Sequence, residues 1–263
     1  SGMKGKDYAG YVNFDYLNDF FNASFSYLDI GENFDAQMGF IKRTDIRSYR
    51  FITGIGPRPG ILNIRQIFIG PQLGEYTTDH NDKLLTRILS SFLVVFFQDG
   101  TFLFLTYTDN YEYLDEDFEI RENTVIPVGI YKFRNLVALF STDQSKNIYL
   151  KGEMMSGEFF NGKILSINME PTIKPVFNFE INLRFSKNYL DLPVENGKFI
   201  TNIIGTRLTY SFSPDLYAKL FIQYNDSDKS GTINFLLNYI YKPGMNFFLV
   251  YNEFYENGNL NAG

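Results

Sequence analysis

Residues 177–185 read FNFEINLRF, so every odd position of this segment is apolar and every even position is polar. A period of two is the pattern of a β-strand that has one apolar and one polar face. The same alternation recurs in residues 165–170, 207–212, 216–225 and 232–241. Recurrence over so much of the chain predicts an all-β fold.

The composition agrees with strands. The 263 residues include 28 Phe and 19 Tyr, and strands and membrane interfaces favour aromatic residues. The longest nearly apolar stretch, Ile88–Phe97, is far shorter than the roughly 20 residues of a membrane-spanning helix. A net charge of −6 without a long basic cluster argues against a nucleic-acid partner. The absence of cysteine excludes disulfides, thiolate zinc sites and cysteine nucleophiles.

Alternation and turn residues together predict about fourteen strands in a single domain, residues 1–263. The predicted strands are 7–17, 20–29, 45–57, 63–74, 83–98, 100–109, 128–141, 147–156, 162–171, 175–187, 198–213, 215–225, 231–242 and 245–253. Most are longer than the five or six residues typical of soluble strands, and they suit tilted strands that cross a bilayer in about 9 to 11 residues.

The connections between these strands are alternately short and longer. The short ones are 17–20, 57–62, 98–100, 141–146, 171–174, 213–215 and 242–244. The longer ones are 31–44, 76–82, 110–126 and 188–197, with shorter exceptions at 157–161 and 226–230. Tight turns at one end are typical of outer-membrane barrels. We therefore expect an antiparallel up-and-down transmembrane β-barrel in the outer membrane of a Gram-negative bacterium; a soluble β-sandwich or propeller is the alternative.

An even number of strands places both chain ends on the long-loop side, whereas barrels of this class keep their termini in the periplasm. We therefore expect one further strand before Asp7 and one after the turn Asn257–Asn259, in a barrel of sixteen or more strands. The segment Ile88–Phe97 departs from the pattern because both of its faces are apolar. We expect it to contact a plug, a neighbouring chain or tightly packed lumen side chains.

The polar face is the main candidate functional surface. The predicted lumen-lining residues are Lys151, Glu153, Glu180, Arg184, Arg207, Lys219, Gln223, Asn234 and Asn238. Lys or Arg facing lipid at mid-bilayer would cost about 2 to 4 kcal/mol each, so we expect these groups to face inward. They would line a porin-like channel for a polar solute or glycan, or pair with one another across a plugged lumen.

Aromatic residues near strand ends predict contact with outer-membrane lipid and lipopolysaccharide. The predicted interfacial aromatics at the tight-turn end are Tyr210, Phe212, Tyr239 and Tyr241. Tyr251 and Tyr27 are predicted near the opposite rim. Two such girdles flank the apolar band of membrane barrels. Ordinary cross-strand aromatic pairing is the alternative explanation.

Three other segments carry reactive groups. His80, the only histidine, would serve a barrel-mouth protease or lipase, or lie in a solvated loop, which the sequence favours. Residues 226–231 begin like a calcium loop, but Leu237 occupies the position of the final acidic ligand, which favours a hairpin turn. The carboxylates of 109–119 would bind a divalent cation that bridges lipopolysaccharide, or form a solvated acidic loop. No catalytic residue, metal site or cofactor is predicted.

Several segments resemble the barrel part of domain-of-unknown-function family 5916. They are Gly39–Arg43, Thr142–Ser145, Gly157–Gly162, Thr209–Pro214, Phe221–Asn225, Tyr241–Gly244 and Phe248–Glu253. The resemblance covers about Tyr8 to Glu253. It implies an outer-membrane barrel of Bacteroidota-like bacteria, normally preceded by a sandwich domain similar to family-9 carbohydrate-binding modules. The family has no established catalytic residues to transfer, and a role linked to glycans enters only by analogy.

Overall fold

The structure, a computed structural model, describes residues 7–35, 41, 43–256 and 259–262. Its strands are β1 (Ala9–Leu17), β2 (Phe21–Ile30), β3 (Ile46–Ile55), β4 (Ile64–Asp79), β5 (Leu84–Phe97), β6 (Phe102–Leu114), β7 (Phe118–Arg121), β8 (Thr124–Ile126), β9 (Gly129–Ser141), β10 (Ile148–Phe159), β11 (Gly162–Val176), β12 (Phe179–Asp191), β13 (Lys198–Ser213), β14 (Leu216–Asn225), β15 (Ser230–Lys242), β16 (Met245–Glu256) and β17 (Asn259–Ala262). Within these described ranges, no helix has the length and apolar character needed to cross a bilayer.

Fifteen of the strands form one antiparallel sheet in which each strand pairs with its neighbours in chain order. The hairpin β7–β8 is separate and is inserted between β6 and β9. The all-β, up-and-down prediction is confirmed. Among the described residues the sheet is open, because β1 and β17 form its two edges and do not pair with each other.

The predicted strands are all present, but several extend further than the sequence indicated. β4 continues to Asp79, β6 to Leu114 and β12 to Asp191, because their last residues keep pairing with at least one neighbouring strand. The predicted long connections 76–82, 110–126 and 188–197 are correspondingly shorter or carry strands. The expectation of a strand after the Asn257–Asn259 turn corresponds to β17, whose first residue is Asn259; Asn257, Gly258 and everything before Asp7 lie outside the described residues.

The two connections that remain long, 31–45 and 115–128, lie at the same end of the sheet. We call this end the loop rim. The opposite end, the turn rim, carries 18–20, 56–63, 98–101, 142–147, 177–178, 214–215 and 243–244. Apart from 56–63, the connections at the turn rim are tight, as predicted.

The register of the strands aligns the alternating residues into two continuous faces. Leu208, Leu220, Phe235 and Tyr251 lie directly opposite one another on β13 to β16, and this row belongs to the apolar face. The polar face carries the intervening residues. Because the side-chain period of a strand is two, a pattern read on single strands extends across the whole sheet once the register is fixed.

Burial is inverted relative to a water-soluble protein. Exposed residues of the apolar face include Phe14, Phe25, Phe51, Ile69, Leu89, Tyr107, Leu136, Met154, Phe185, Ile204, Ile222, Ile233 and Leu249. Buried residues of the polar face include Ser48, Gln66, Thr77, Thr86, Asn135, Ser141, Thr172 and Asn238. A β-sandwich would bury its apolar face beneath a second sheet. The described residues form a single large sheet, whose polar face is the more enclosed side.

Packing on the polar face accounts for the unusual segment Ile88–Phe97. A Cβ atom added to Gly54 would come within 3.1 Å of the ring of Phe92, so this ring lies against the backbone of β3. Phe96 packs edge-on against Phe68, with 6.2 Å between ring centroids. Tight side-chain packing on the polar face, one of the three expected explanations, therefore applies to this segment.

Candidate functional site

All of the predicted lumen-lining residues lie on the polar face. The register places Lys151, Glu153, Glu180, Arg184, Arg207, Lys219, Gln223, Asn234 and Asn238 on this side of β10 and β12 to β15. The sequence pattern alone located them, because each belongs to the polar half of an alternating strand. Their function as the lining of a lumen stays a prediction.

Cross-strand hydrogen bonds order the centre of this face. The Arg184 guanidinium contacts the Glu170 carboxylate through Nε at 2.8 Å and Nη2 at 2.6 Å. Beside this pair, the Asn182 amide donates to the hydroxyl of Thr172, which is fully buried. Both contacts are to the same carboxylate oxygen, Oε1, and charge-assisted hydrogen bonds of this kind are stronger than neutral ones. These bonds fix the side chains of β11 and β12 in defined positions.

The charges of the central polar face are nearly balanced. The cations are Lys151, Arg184, Arg207 and Lys219, and the carboxylates are Glu153, Glu170 and Glu180. Three of the cations lie over aromatic rings: Lys219 over Tyr217, 5.0 Å from the centroid, Arg207 over Phe221 at 5.5 Å and Lys151 over Tyr149 at 5.8 Å. A surface of balanced charge, rich in amides and hydroxyls, suits neutral polar molecules better than strongly charged ones.

The hairpin β7–β8 reaches across the loop rim. The Arg121 guanidinium lies 4.6 Å from the centroid of the Phe199 ring on β13, and the Thr124 hydroxyl donates to the Asn196 carbonyl oxygen at 3.3 Å. Strands β9 to β12 lie between the attachment of the hairpin and these contacts. The hairpin therefore spans the rim rather than extending away from the sheet.

The hairpin folds toward the polar face. Ile126 is 2% exposed and packs with Leu114 and Tyr131, which occupy polar-face positions of β6 and β9. The sequence prediction treated this region as loop. The left-handed backbone of Asn123 (φ 60°), followed by the β-branched Thr124–Ile126, is the local signal of this hairpin.

The second long connection is also tied to the polar side of the loop rim. The Arg43 guanidinium contacts the Glu112 carboxylate at 3.2 Å, the Tyr113 carbonyl oxygen at 3.1 Å and the Thr86 hydroxyl at 3.3 Å. Of the segment Gly39–Arg43, which carries part of the family resemblance, only Ile41 and Arg43 are among the described residues. Arg43 is therefore held on the polar side of the loop rim, the side toward which the hairpin β7–β8 also folds.

The favoured interpretation of His80 as part of a solvated loop is wrong. Its side chain is 9% exposed, and its ring nitrogens lie 2.5 Å from the Asp45 carboxylate and 2.9 Å from that of Asp29. A histidine that acts as a general base needs a ring nitrogen free for its substrate. Here both nitrogens face carboxylates, so His80 links three segments of the rim. No local sequence pattern indicates these contacts, because both partners are distant in the chain.

The predicted acidic loop is also corrected. Asp109 and Glu112 both lie within β6 and on opposite faces, because they are three positions apart, an odd number. Asp117 and Glu119 accept backbone hydrogen bonds from Val128 and Asn123. The carboxylates therefore do not converge, and within the described residues no group of acidic or histidine side chains is arranged to hold a metal ion.

Residues 226–229 form the turn between β14 and β15, as the sequence favoured. The Asn202 side chain and backbone amide both donate to Asp226, and these bonds lower the pKa of its carboxyl. The carboxylate thus serves the turn and the neighbouring strand.

The predicted interfacial aromatics lie on the apolar face. Tyr210, Phe212, Tyr239 and Tyr241 are near the turn rim, while Tyr251 lies nearer to the loop rim. Between ring centroids, Tyr210 lies 4.7 Å from Phe212 on the same strand and 6.0 Å from Phe179 on β12, so same-face and cross-strand aromatic packing is also present.

Another group of aromatic residues follows the loop rim on the same face. Tyr27 and Tyr49 are 5.1 Å apart between ring centroids, and Tyr49 and Tyr76 are 6.4 Å apart. Aromatic side chains therefore border the apolar face at both rims.

Comparison with known proteins finds neither a matching family model nor a matching curated protein. The resemblance to domain-of-unknown-function family 5916 stays a prediction.

Proposed function

We propose that the chain is an outer-membrane β-barrel domain that serves as a pore or membrane anchor. The observation that carries this proposal is the inverted burial of the sheet, with exposed apolar residues on one face and buried polar residues on the other. In water an apolar face of this extent is unfavourable, whereas contact with lipid makes it favourable. The face that meets lipid is then the apolar one, and the polar face becomes the interior.

The dimensions of the apolar face support this proposal. On β12 the apolar-face residues run from Phe179 to Phe185, and Lys187 follows at the next position on that face. At about 3.3 Å per residue, the eight steps from Phe179 to Lys187 measure roughly 26 Å along the strand. A tilt of about 40° reduces it to roughly 20 Å, close to the roughly 25 Å apolar band of outer-membrane barrels.

A closed barrel requires that the backbone N–H and C=O groups at both edges of the sheet form hydrogen bonds. The free edge of β1 presents unpaired backbone groups, and all of its residues are exposed. Such an edge is not tolerated in lipid. Pairing of this edge within the folded protein is therefore a requirement of the proposal.

The interior suits a polar solute or glycan better than an ion of one sign. Its balanced charges and many amides offer hydrogen bonds in both directions, and the hairpin β7–β8 and Arg43 lie on the polar side of its mouth. The family resemblance adds an expected N-terminal carbohydrate-binding module. The hydrolase alternative receives no support from the geometry, since both nitrogens of His80 are engaged by carboxylates.

The test is to refold the chain into detergent and compare unheated and boiled samples by gel mobility. A heat-dependent shift with β-rich circular dichroism supports a closed barrel. A stable fold in plain buffer would overturn the proposal.

Planar-bilayer conductance then separates the two versions of the proposed function. Channels that open in the presence of the complete protein favour the pore, and competition by added sugars would identify the solute class. Insertion of the protein into the bilayer without conductance would support the anchor instead of the pore.

A further inference from the structure

A row of charged residues crosses the apolar face just below the loop rim. In order across β6 and β9 to β13, the row is Asp109, Arg134, Glu158, Lys163, Asp191 and Lys198. Its signs alternate, so the row itself is electrically balanced. It borders the exposed apolar residues Tyr107, Leu136 and Met154.

Three further cations on the same face lie beside this row. Arg87 and Lys132 are each directly opposite Tyr111, and Lys187 lies opposite Ile167. Because the row is balanced, these three residues give this part of the face a surplus of positive charge. The surplus is notable in a chain whose net charge is −6.

The cations are only partly satisfied by protein groups. Asp109 is shared between Arg87 Nη2 at 2.9 Å and Arg134 Nε at 2.8 Å. Arg87 Nε is buried and has no hydrogen-bond acceptor among the described residues. Among the residues that the structure describes, no carboxylate lies within 4.0 Å of the ammonium groups of Lys132, Lys163 and Lys187. These three lysines are exposed, so they can meet an anion from outside the protein.

Two open grooves run along the basic residues. One, of about 680 Å³, is lined by Lys132 and Lys163 together with Glu158 and Asp191, and the other, of about 520 Å³, by Arg87, Lys132 and Arg134 together with Asp109 and Glu158. Lys132 on β9 and Lys163 on β11 are two strands and two residues apart, which is about 12 Å. The grooves therefore offer two cationic positions, with the Glu158 carboxylate between them.

We propose that this basic belt (Arg87, Lys132, Arg134, Lys163, Lys187 and Lys198) binds the phosphates of a glycolipid of the lipid A class, a disaccharide that carries a phosphate at each end. The inference rests on the proposed function, because it requires the apolar face to contact lipid. Acyl chains would lie along Tyr107, Leu136 and Met154 while the phosphates meet the cations of the grooves. Two separated cationic positions favour a bisphosphorylated headgroup over a single phosphodiester.

The experiment uses the full chain refolded in zwitterionic micelles, with native mass spectrometry to count bound lipid. The probes are bisphosphorylated lipid A, the same lipid without its phosphates, and phosphatidylglycerol. The test variant combines Lys132→Gln, Lys163→Gln and Lys187→Gln. The control combines Lys151→Gln, Lys219→Gln and Arg207→Gln, which removes equal charge from the polar face. The gel shift on heating, run on every sample, shows whether each protein is folded.

The expected result is that lipid A binds the wild type and the control equally, while the test variant binds about tenfold more weakly or worse. Removal of the phosphates should weaken binding to the wild type by a similar factor. Equal losses in the test and control variants, or equally tight binding of phosphatidylglycerol, would overturn the inference while the barrel remains. Failure of the wild type to give a heat-dependent gel shift would overturn the proposed function and this inference with it.

Discussion

Met154 and Met155 form a matched pair for testing which face of the sheet contacts lipid. They are adjacent on β10, and the register places Met154 on the apolar face, opposite Ile167, and Met155 on the polar face, opposite Ser166. Arginine at each position adds the same charge to the same strand. Only the medium that the new side chain enters differs between the two variants.

The expected magnitude follows from the position of Met154. It lies four residues from Glu158, which is about 13 Å along the strand and about 10 Å in depth at a tilt of 40°. Arginine near mid-bilayer costs about 2 to 4 kcal/mol, and extension of its side chain toward the rim favours the lower value. We therefore expect Met154→Arg to lower the free energy of unfolding by about 2 kcal/mol, roughly 30-fold in the equilibrium constant. We expect Met155→Arg to cost less than about 1 kcal/mol, since it enters a polar surface.

The assay is urea unfolding of the protein refolded in phospholipid vesicles, followed by circular dichroism and interpreted only if the slopes of the variants agree. Met154 is 44% exposed, so in contact with water its replacement by arginine would change the stability by no more than about 0.5 kcal/mol. Equal effects of the two substitutions, or a larger effect of Met155→Arg, would refute the assignment of the faces.

Three other predictions concern the sheet and its loop rim. Gly70→Ala should destabilise the fold by about 1 to 3 kcal/mol in the same urea assay, because its Cβ would lie 2.0 Å from the Thr53 carbonyl oxygen. Gly10→Ala is the control and should be nearly neutral, because no atom lies within 4 Å of the added Cβ. His80→Ala should cost about 1 to 3 kcal/mol by leaving two carboxylates without their partner, and a stability equal to wild type would show that the contacts are unimportant. Replacing Phe118–Ile126 by a short glycine linker should increase single-channel conductance if the hairpin narrows the mouth; an unchanged conductance would place it outside the path.

The faces of the sheet were predictable from sequence because they depend on local alternation. In residues 177–185 the positions from Phe179 to Phe185 fall on the expected sides, and only the start of the strand was placed too early. Register then follows from short turns such as 214–215, which leave little freedom in how β13 pairs with β14. For this reason every predicted lumen-lining residue lies on the polar face.

The contacts at the loop rim were not predictable, because they join residues far apart in the chain. His80 meets Asp29 across 51 positions, and Thr124 meets Asn196 across 72. No local pattern encodes such distances. The same limit applies to the basic belt, since its residues come together only after seven strands, β5, β6 and β9 to β13, have been aligned.

The total exposed surface gives an independent reason why this sheet needs a partner other than water. A soluble monomer of 30.5 kDa is expected to expose about 11,800 Å², whereas this chain exposes 16814 Å². A single layer explains the excess, because both of its faces remain accessible. If only the polar face were covered, the apolar residues would remain exposed. A second sheet over the apolar face would need further strands, and the described residues contain none beyond the large sheet and the hairpin β7–β8. Curvature that encloses the polar face, with lipid against the other, satisfies both faces at once. If the proposed function holds, folding and membrane insertion are coupled, and we expect that the sheet does not persist in plain buffer.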